Sequence, residues 1–252
     1  MFGYEGVPLT ATWQDRVKGS WWKAPLIILG YFYVRLLLEL EVVHRGLAAM
    51  NNSVTMESLT NASDLMSIMA EAELFYHLQA IGTVLIVLLI IKLVKMKLFS
   101  FKSLTWRGLL VTFMVFIAFL LIQMLFGLLI EGLVPDYTQP DNQEAVIRMV
   151  EKMHPLAMFF NIVILTPIIE EILCRGLVMK YMFSLLPVIG ALVSMVFFTL
   201  LHGPSNWIDF VVYFLLSAGI TLVYWKTRKL EYAIIFHMFQ NFLGFLSIYL
   251  VQ

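Results

Sequence analysis

Apolar residues in this chain come in long runs, and short clusters of polar and charged residues separate them. A helix crossing about 30 Å of hydrocarbon needs about 20 consecutive, mostly apolar residues. Seven stretches meet that length, at roughly 24–43, 77–96, 108–130, 155–180, 184–202, 207–225 and 230–251. Arg35, Glu39 and Glu41 interrupt the first, which predicts a helix that is tilted, broken, or packed with its charged face against protein. Pro167 falls inside the fourth; membrane helices tolerate this where neighbours satisfy the freed backbone groups.

Two connections are long enough to carry structure of their own. Residues 44–76 are polar and predict a partly helical segment. Residues 134–154 begin turn-rich (Pro135, Asp136, Pro140, Asp141). They pass into Glu144–Met153, where Ala145, Val146, Met149 and Val150 recur at helical spacing. This predicts a short amphipathic helix on the outer surface, or a cap over the bundle.

Composition agrees with a bilayer as solvent. Of 252 residues, 61% are apolar and 13% charged, and mean hydropathy is +0.86. A water-soluble domain is nearer half apolar and a quarter charged. The 20 Phe, 15 Met and 6 Trp exclude low-complexity disorder. Zero net charge argues against nucleic acid as a partner. The single cysteine, Cys174, excludes an internal disulfide framework and a cysteine-built metal site. The N-terminus, Met1 to Trp22, lacks the basic-then-apolar order of a signal peptide, and Trp13, Trp21 and Trp22 read as an interfacial anchor.

The charges also choose an orientation. Arg16, Lys18 and Lys23 precede the first stretch, and Lys92, Lys95, Lys97, Lys102 and Arg107 separate the second and third. Lys180 follows the fourth, and Lys226, Arg228 and Lys229 precede the seventh. The alternate loops are acidic, with Glu57, Asp64, Glu71, Glu73, Asp136, Asp141 and Glu144. The positive-inside rule therefore expects a cytoplasmic N-terminus and an outer C-terminus. The expected architecture is all-α, a polytopic transmembrane helix bundle of about seven spans, or eight. It forms a single integral membrane domain over residues 1–252.

An ionised side chain at the centre of a membrane helix costs about 2.5–3.5 kcal/mol on insertion scales, so such residues pair, face the bundle interior, or act. Three polar groups stand out. Glu170 and Glu171 lie deep in the fourth stretch with Arg175. Glu171 and Arg175 are i,i+4 and can pair, whereas Glu170 points about 100° away and has no partner on its own helix. A desolvated carboxylate has a raised pKa and suits acid–base chemistry. All three could equally form one structural ion network. His202, four residues after Phe198, ends the fifth stretch, and by itself reads more readily as structural. His237 and Asn241 share one face of the seventh; they read either as two donors for an oxyanion or as interhelical hydrogen-bonding groups. Ser217, Ala218 and Gly219 form a small-residue patch that predicts close helix packing. Together, a carboxylate, two histidines and an asparagine make the set needed for water activation and oxyanion stabilisation.

In order and spacing these residues resemble the CPBP family of CAAX proteases and bacteriocin-processing proteins. Its Glu-Glu-x-x-x-Arg, Phe-x-x-x-His and His-x-x-x-Asn motifs read Glu170–Glu171–Arg175, Phe198–His202 and His237–Asn241 here. Tyr224, Trp225, Lys229 and Leu230 also fit the family's pattern, and the resemblance covers about residues 155–245, the expected catalytic core on the last four helices. It implies an intramembrane endopeptidase. Glu170 and His202 would activate water, His237 and Asn241 would hold the oxyanion, and Glu171 and Arg175 would be supporting residues. It favours a glutamate-type reaction without an essential metal. A zinc-dependent version would use Glu170, His202 and His237, an adequate ligand set although no His-Glu-x-x-His is present.

The expected substrate is a membrane-associated peptide or protein of the leader, pheromone or bacteriocin type, in contact with membrane lipid. The alternative is a non-catalytic scaffold or bacteriocin-immunity protein acting through a membrane protein partner. A transporter would also use intramembrane Glu and His, but duplicated halves and paired broken helices are absent. Compact length and the missing organelle signal point to a bacterial plasma membrane. Helix counting leaves one conflict: His237 lies about 12 Å into its stretch from the cytoplasmic side, whereas His202 lies near the far end of its own.

Overall fold

The structure, a computed structural model of the chain, describes residues 20–50, 62–99 and 104–250. Trp13, Arg16, Lys18, Glu57 and Lys102, and the expectations attached to them, lie outside the described residues. Those described form helices and no strand. The helices are α1 (Lys23–Ala49), α2 (Ala62–Glu71), α3 (Glu73–Leu93), α4 (Trp106–Leu133), α5 (Asp141–Lys152), α6 (Pro155–Met182), α7 (Pro187–Leu201), α8 (Trp207–Thr227) and α9 (Leu230–Leu250). Each of the seven apolar stretches becomes one long helix. Four of them, α3, α4, α6 and α8, are long and apolar enough to cross a membrane. The chain is a polytopic helical membrane protein.

Local chemistry sets the helix ends. Pro155 and Pro187 occupy the first turns of α6 and α7, where a missing N–H costs nothing. Asn206 caps α8, its side-chain oxygen accepting from the Ile208 and Asp209 N–H groups at 2.8 and 3.0 Å. In α1 the interrupting charges do not break the helix, because Arg35 Nε donates to Glu39 at 2.7 Å one turn on and Arg45 Nε to Glu41 at 2.8 Å.

The main core joins α1, α3, α4, α6, α7, α8 and α9. Its centre is the C-terminal half of α6, where every residue from Glu171 to Tyr181 is buried. The small-residue patch of α8 packs as its sequence predicts: a Cβ on Gly219 would lie 2.8 Å from Phe236 and 2.9 Å from Phe119. The amphipathic segment also forms. Helix α5 starts at Asp141, earlier than expected, and seats Met149 and Val150 in a second cluster with Met158 and Ile248. It is pinned by Lys152 Nζ to Ser67 Oγ (3.0 Å), and the following His154 N–H donates to Glu73 (2.6 Å). Of the polar connection 44–76, residues 44–49 extend α1 and 62–71 form α2.

Helix α6 is not uniformly α-helical. Phe160–Leu165 and Ile172–Met182 are wound as π-helix around a central α turn, Thr166–Glu171, that carries both glutamates. π segments are rare and concentrate at functional sites. Pro167 explains a neighbouring contact. With i→i+5 bonding, the Ile162 carbonyl would look to residue 167, which has no N–H. The Asn241 side chain on α9 donates to that carbonyl instead, at 2.9 Å.

Candidate active site

Helices α6, α7 and α9 bring Glu170, His202 and His237 to one point. Glu170 Oε2 lies 3.9 Å from His202 Nε2 and 3.8 Å from His237 Nε2. The axial offset expected between the two histidines does not keep them apart. His202 is the C-cap of α7, just outside the helix rather than inside it. Glu170 and His202 keep 16% and 13% of their side-chain surface accessible and line a cavity, whereas His237 keeps 1%. The first two can therefore meet water or a peptide directly.

Hydrogen bonds fix which ring nitrogens carry protons. His202 Nδ1 lies 2.9 Å from the Phe198 carbonyl, which can only accept, so Nδ1 is the protonated nitrogen. His237 Nδ1 lies 3.0 Å from Glu171 Oε1, which also accepts from Arg175 Nη1 at 3.0 Å. The oxygen that accepts from the guanidinium also accepts from the imidazole, so His237 likewise carries a proton on Nδ1. Both rings thus turn Nε2 towards Glu170. The Glu170 Oε2 atom is buried and accepts no direct hydrogen bond from the described residues.

Contacts behind these three side chains hold the arrangement. Glu171 and Arg175 are fully buried and paired, as their i,i+4 spacing predicts. Arg175 Nη2 also reaches the Ser217 carbonyl (2.8 Å), Ser217 Oγ (2.7 Å) and Thr221 Oγ1 (3.1 Å), tying α6 to α8. The guanidinium carbon stands 4.9 Å from the ring centre of Phe198, on the helix that presents His202. Sequence reasoning reads Ser217 as a packing residue and passes over Thr221. A buried arginine with more donors than one carboxylate can accept is the signal that could have found them.

The cavity is about 640 Å³ and has mixed polarity. Arg35 and Glu39 of α1, Gln79 of α3, Gln123 of α4, Asn161 and Glu170 of α6, and Gln240 and Asn241 of α9 form its walls. The charged face of α1 therefore meets the cavity. Asn142, Gln143, Val146 and Met149 of α5 close one side, so this helix is an amphipathic element and a cap at once. Burial, together with a 2.8 Å hydrogen bond to Asp209, holds the Tyr137 hydroxyl well above its ordinary pKa in the adjoining loop. It therefore remains a donor across the physiological range. Asn241 lines the cavity with one N–H engaged by Ile162, leaving its second N–H for another acceptor. Among the described residues, no group of three or more His, Cys, Asp and Glu side chains is arranged to hold a metal ion.

No curated protein and no solved structure matches the chain. Residues 152–243 match the family model described as Type II CAAX prenyl endopeptidase Rce1-like. That range contains every residue of the Glu170 cluster, so the cluster lies in the part of this membrane-embedded chain that is similar to the Rce1-like family.

Proposed function

We propose that the protein is an intramembrane endopeptidase of glutamate type, acting on a membrane-associated peptide of the leader, pheromone or bacteriocin class. The observation that carries this reading is the convergence of two Nε2 atoms on a single oxygen of Glu170, just beyond hydrogen-bond distance, at a cavity wall. A polar separation beyond 3.5 Å is one at which a bridging water is to be sought.

In this reading a water held between Glu170 and His202 gives up a proton as its oxygen attacks the scissile carbonyl, and the proton passes to the carboxylate–imidazole pair. The carbonyl electrons move onto oxygen. The second N–H of Asn241 and a protonated His237 Nε2 donate to the resulting oxyanion. His237 can take on that positive charge because Glu171 faces its other nitrogen. Collapse of the intermediate breaks the C–N bond, and the proton returns to the leaving amine. Glu171 and Arg175 act by holding His237 and the helix. The carboxamide-rich walls give an extended peptide backbone the hydrogen bonds that lipid cannot supply.

No step is routed through a metal. A tetrahedral zinc centre would set its nitrogen and oxygen ligands about 3.3–3.5 Å apart, given metal–ligand distances near 2.1 Å. The 3.8 and 3.9 Å separations here are wider. We place the N-terminus on the cytoplasmic side of the membrane, on the distribution of the cations.

The test compares peptide ends by mass spectrometry in membranes expressing wild-type protein or Glu170→Gln at matched levels. Cleaved products that disappear in the variant support the reading and identify the substrate. Identical peptide profiles, with a phenotype that Glu170→Gln retains, would favour a scaffold or immunity protein acting through a partner.

A further inference from the structure

His202 sits where its own helix can do little to hold it. It caps the end of α7, and Gly203 (φ +55°) and Pro204 turn the chain away immediately afterwards. The bond from Nδ1 to the Phe198 carbonyl fixes a pivot, but one hydrogen bond leaves the ring free to rotate about it. The plane is set by two aromatic rings. Phe198 lies 4.5 Å away, tilted by 36°, and Tyr213 of α8 stacks at 4.3 Å and 25°.

Tyr213 is itself held from the far side. Its hydroxyl accepts from Asn142 Nδ2 at 3.3 Å, near the start of α5. One turn earlier on the same face of α8, Asp209 accepts from Tyr137 at 2.8 Å. The segment before the cap and the first turn of the cap thus grip α8 at two points, and the second is the ring that stacks on His202. Asn142, Tyr213 and His202 all line the cavity. A peptide entering it meets the cap contact and the histidine together.

We propose that Tyr213 is a positioning residue that clamps the His202 imidazole against Phe198 and passes the seating of α5 on to it through Asn142. The proposal rests on His202 acting in the reaction described above. It gives the cap a task besides closure: a seated α5 keeps His202 Nε2 aimed at Glu170, and a lifted α5 lets the ring turn away.

The test is ¹⁵N NMR of selectively histidine-labelled full-length protein in lipid nanodiscs. Only five histidines contribute, and His202→Gln assigns the relevant one. Wild type should show a single Nδ1–H tautomer for His202. Tyr213→Leu should split that signal or mix its tautomers, and should lower kcat for the peptide that wild type cleaves by about tenfold or more with little change in KM. Tyr213→Phe keeps the stacking ring but loses the bond to Asn142, so it should keep the Nδ1–H tautomer, broadened as in Asn142→Ala, with kcat within about threefold of wild type. Asn142→Ala, on the cap, should broaden the His202 signal without touching the ring, and it serves if Tyr213→Leu does not fold. An unchanged His202 signal in Tyr213→Leu would overturn the clamp even if activity fell, and an unchanged signal in Asn142→Ala would overturn the transmission. Neither spectrum requires turnover. Loss of the protease reading would appear separately, as a wild-type protein whose peptide products match those of Glu170→Gln.

Discussion

The helices before α5 and those after it solve the problem of a bilayer in different ways. In the most apolar stretches of α3 and α4, 17% and 11% of residues are buried within the protein; in α6 and α8 the shares are 44% and 56%. The first pair shows Leu and Ile to the outside along most of its length, with Leu125 66% exposed. The second pair folds inward around Glu171, Arg175, Ser217 and Thr221. Length and hydropathy make both pairs membrane helices. The first pair keeps its charged residues near its ends (Glu73, Lys92, Arg107, Glu131), whereas the second buries the Glu171–Arg175 pair and its hydroxyl partners between helices, and those groups force the dense packing. The sparse half forms walls for a cavity, and the dense half supplies its reactive groups.

The sharpest test of that division is chemical. His202→Ala should lower cleavage by about 10²–10⁴-fold, the usual contribution of a positioned proton acceptor, while thermal unfolding in detergent stays near wild type. A comparable loss from removing a wall residue such as Gln123 would break the division of roles. Next in size is Arg175→Met, which leaves Glu171 buried without its cation. Breaking one side of a buried pair costs about 3–5 kcal/mol, readable as a fall in folded yield and Tm. Adding Glu171→Gln should recover much of that stability but not activity, because His237 then lacks its carboxylate. Recovery of activity would show that Glu171 serves the fold alone.

Asn241→Leu comes third. It strands the Ile162 carbonyl, at about 1–3 kcal/mol for an unsatisfied buried acceptor, and should also reduce kcat by about 10²-fold through the lost oxyanion donor. A last pair of substitutions, read in stability alone, compares the halves directly. Leu177→Ala, at 0% exposure in α6, should destabilise by about 2–5 kcal/mol, and Leu125→Ala in α4 by about 0.5 kcal/mol or less. Equal losses would mean that α4 faces protein in the assembled state.

Much of the fold was legible because its rules are local. Helix length follows from apolar run length, and the Glu171–Arg175 pair follows from i,i+4 spacing. The amphipathic segment at 141–152 follows from its own periodicity. What could not be read is what depends on contact between helices. Nothing in the chain around Tyr213 indicates that it will lie flat on His202, eleven residues earlier on another helix. Ser217 reads as a small packing residue because Gly219 beside it is one; its bonds to Arg175 arise only when α6 and α8 meet. Asn241 shares a face with His237 as spacing requires, yet its bond to Ile162 exists because Pro167 leaves a carbonyl without a donor on a third stretch of chain.

That winding of α6 carries a consequence for how the sequence can vary. Each residue added to or removed from an α-helix turns everything beyond it by about 100°. The π-wound stretch Phe160–Leu165 lies between the start of α6 and its glutamates, so it works as an angular index for the rest of the helix. A π turn holds about one residue more than an α turn, so loss of one residue from Phe160–Leu165 can be absorbed by reversion to α winding. Loss of one from the α turn Thr166–Glu171 has no such slack and would swing Glu170 away from both histidines. Within α6, length should therefore tolerate more change before the glutamates' turn than inside it.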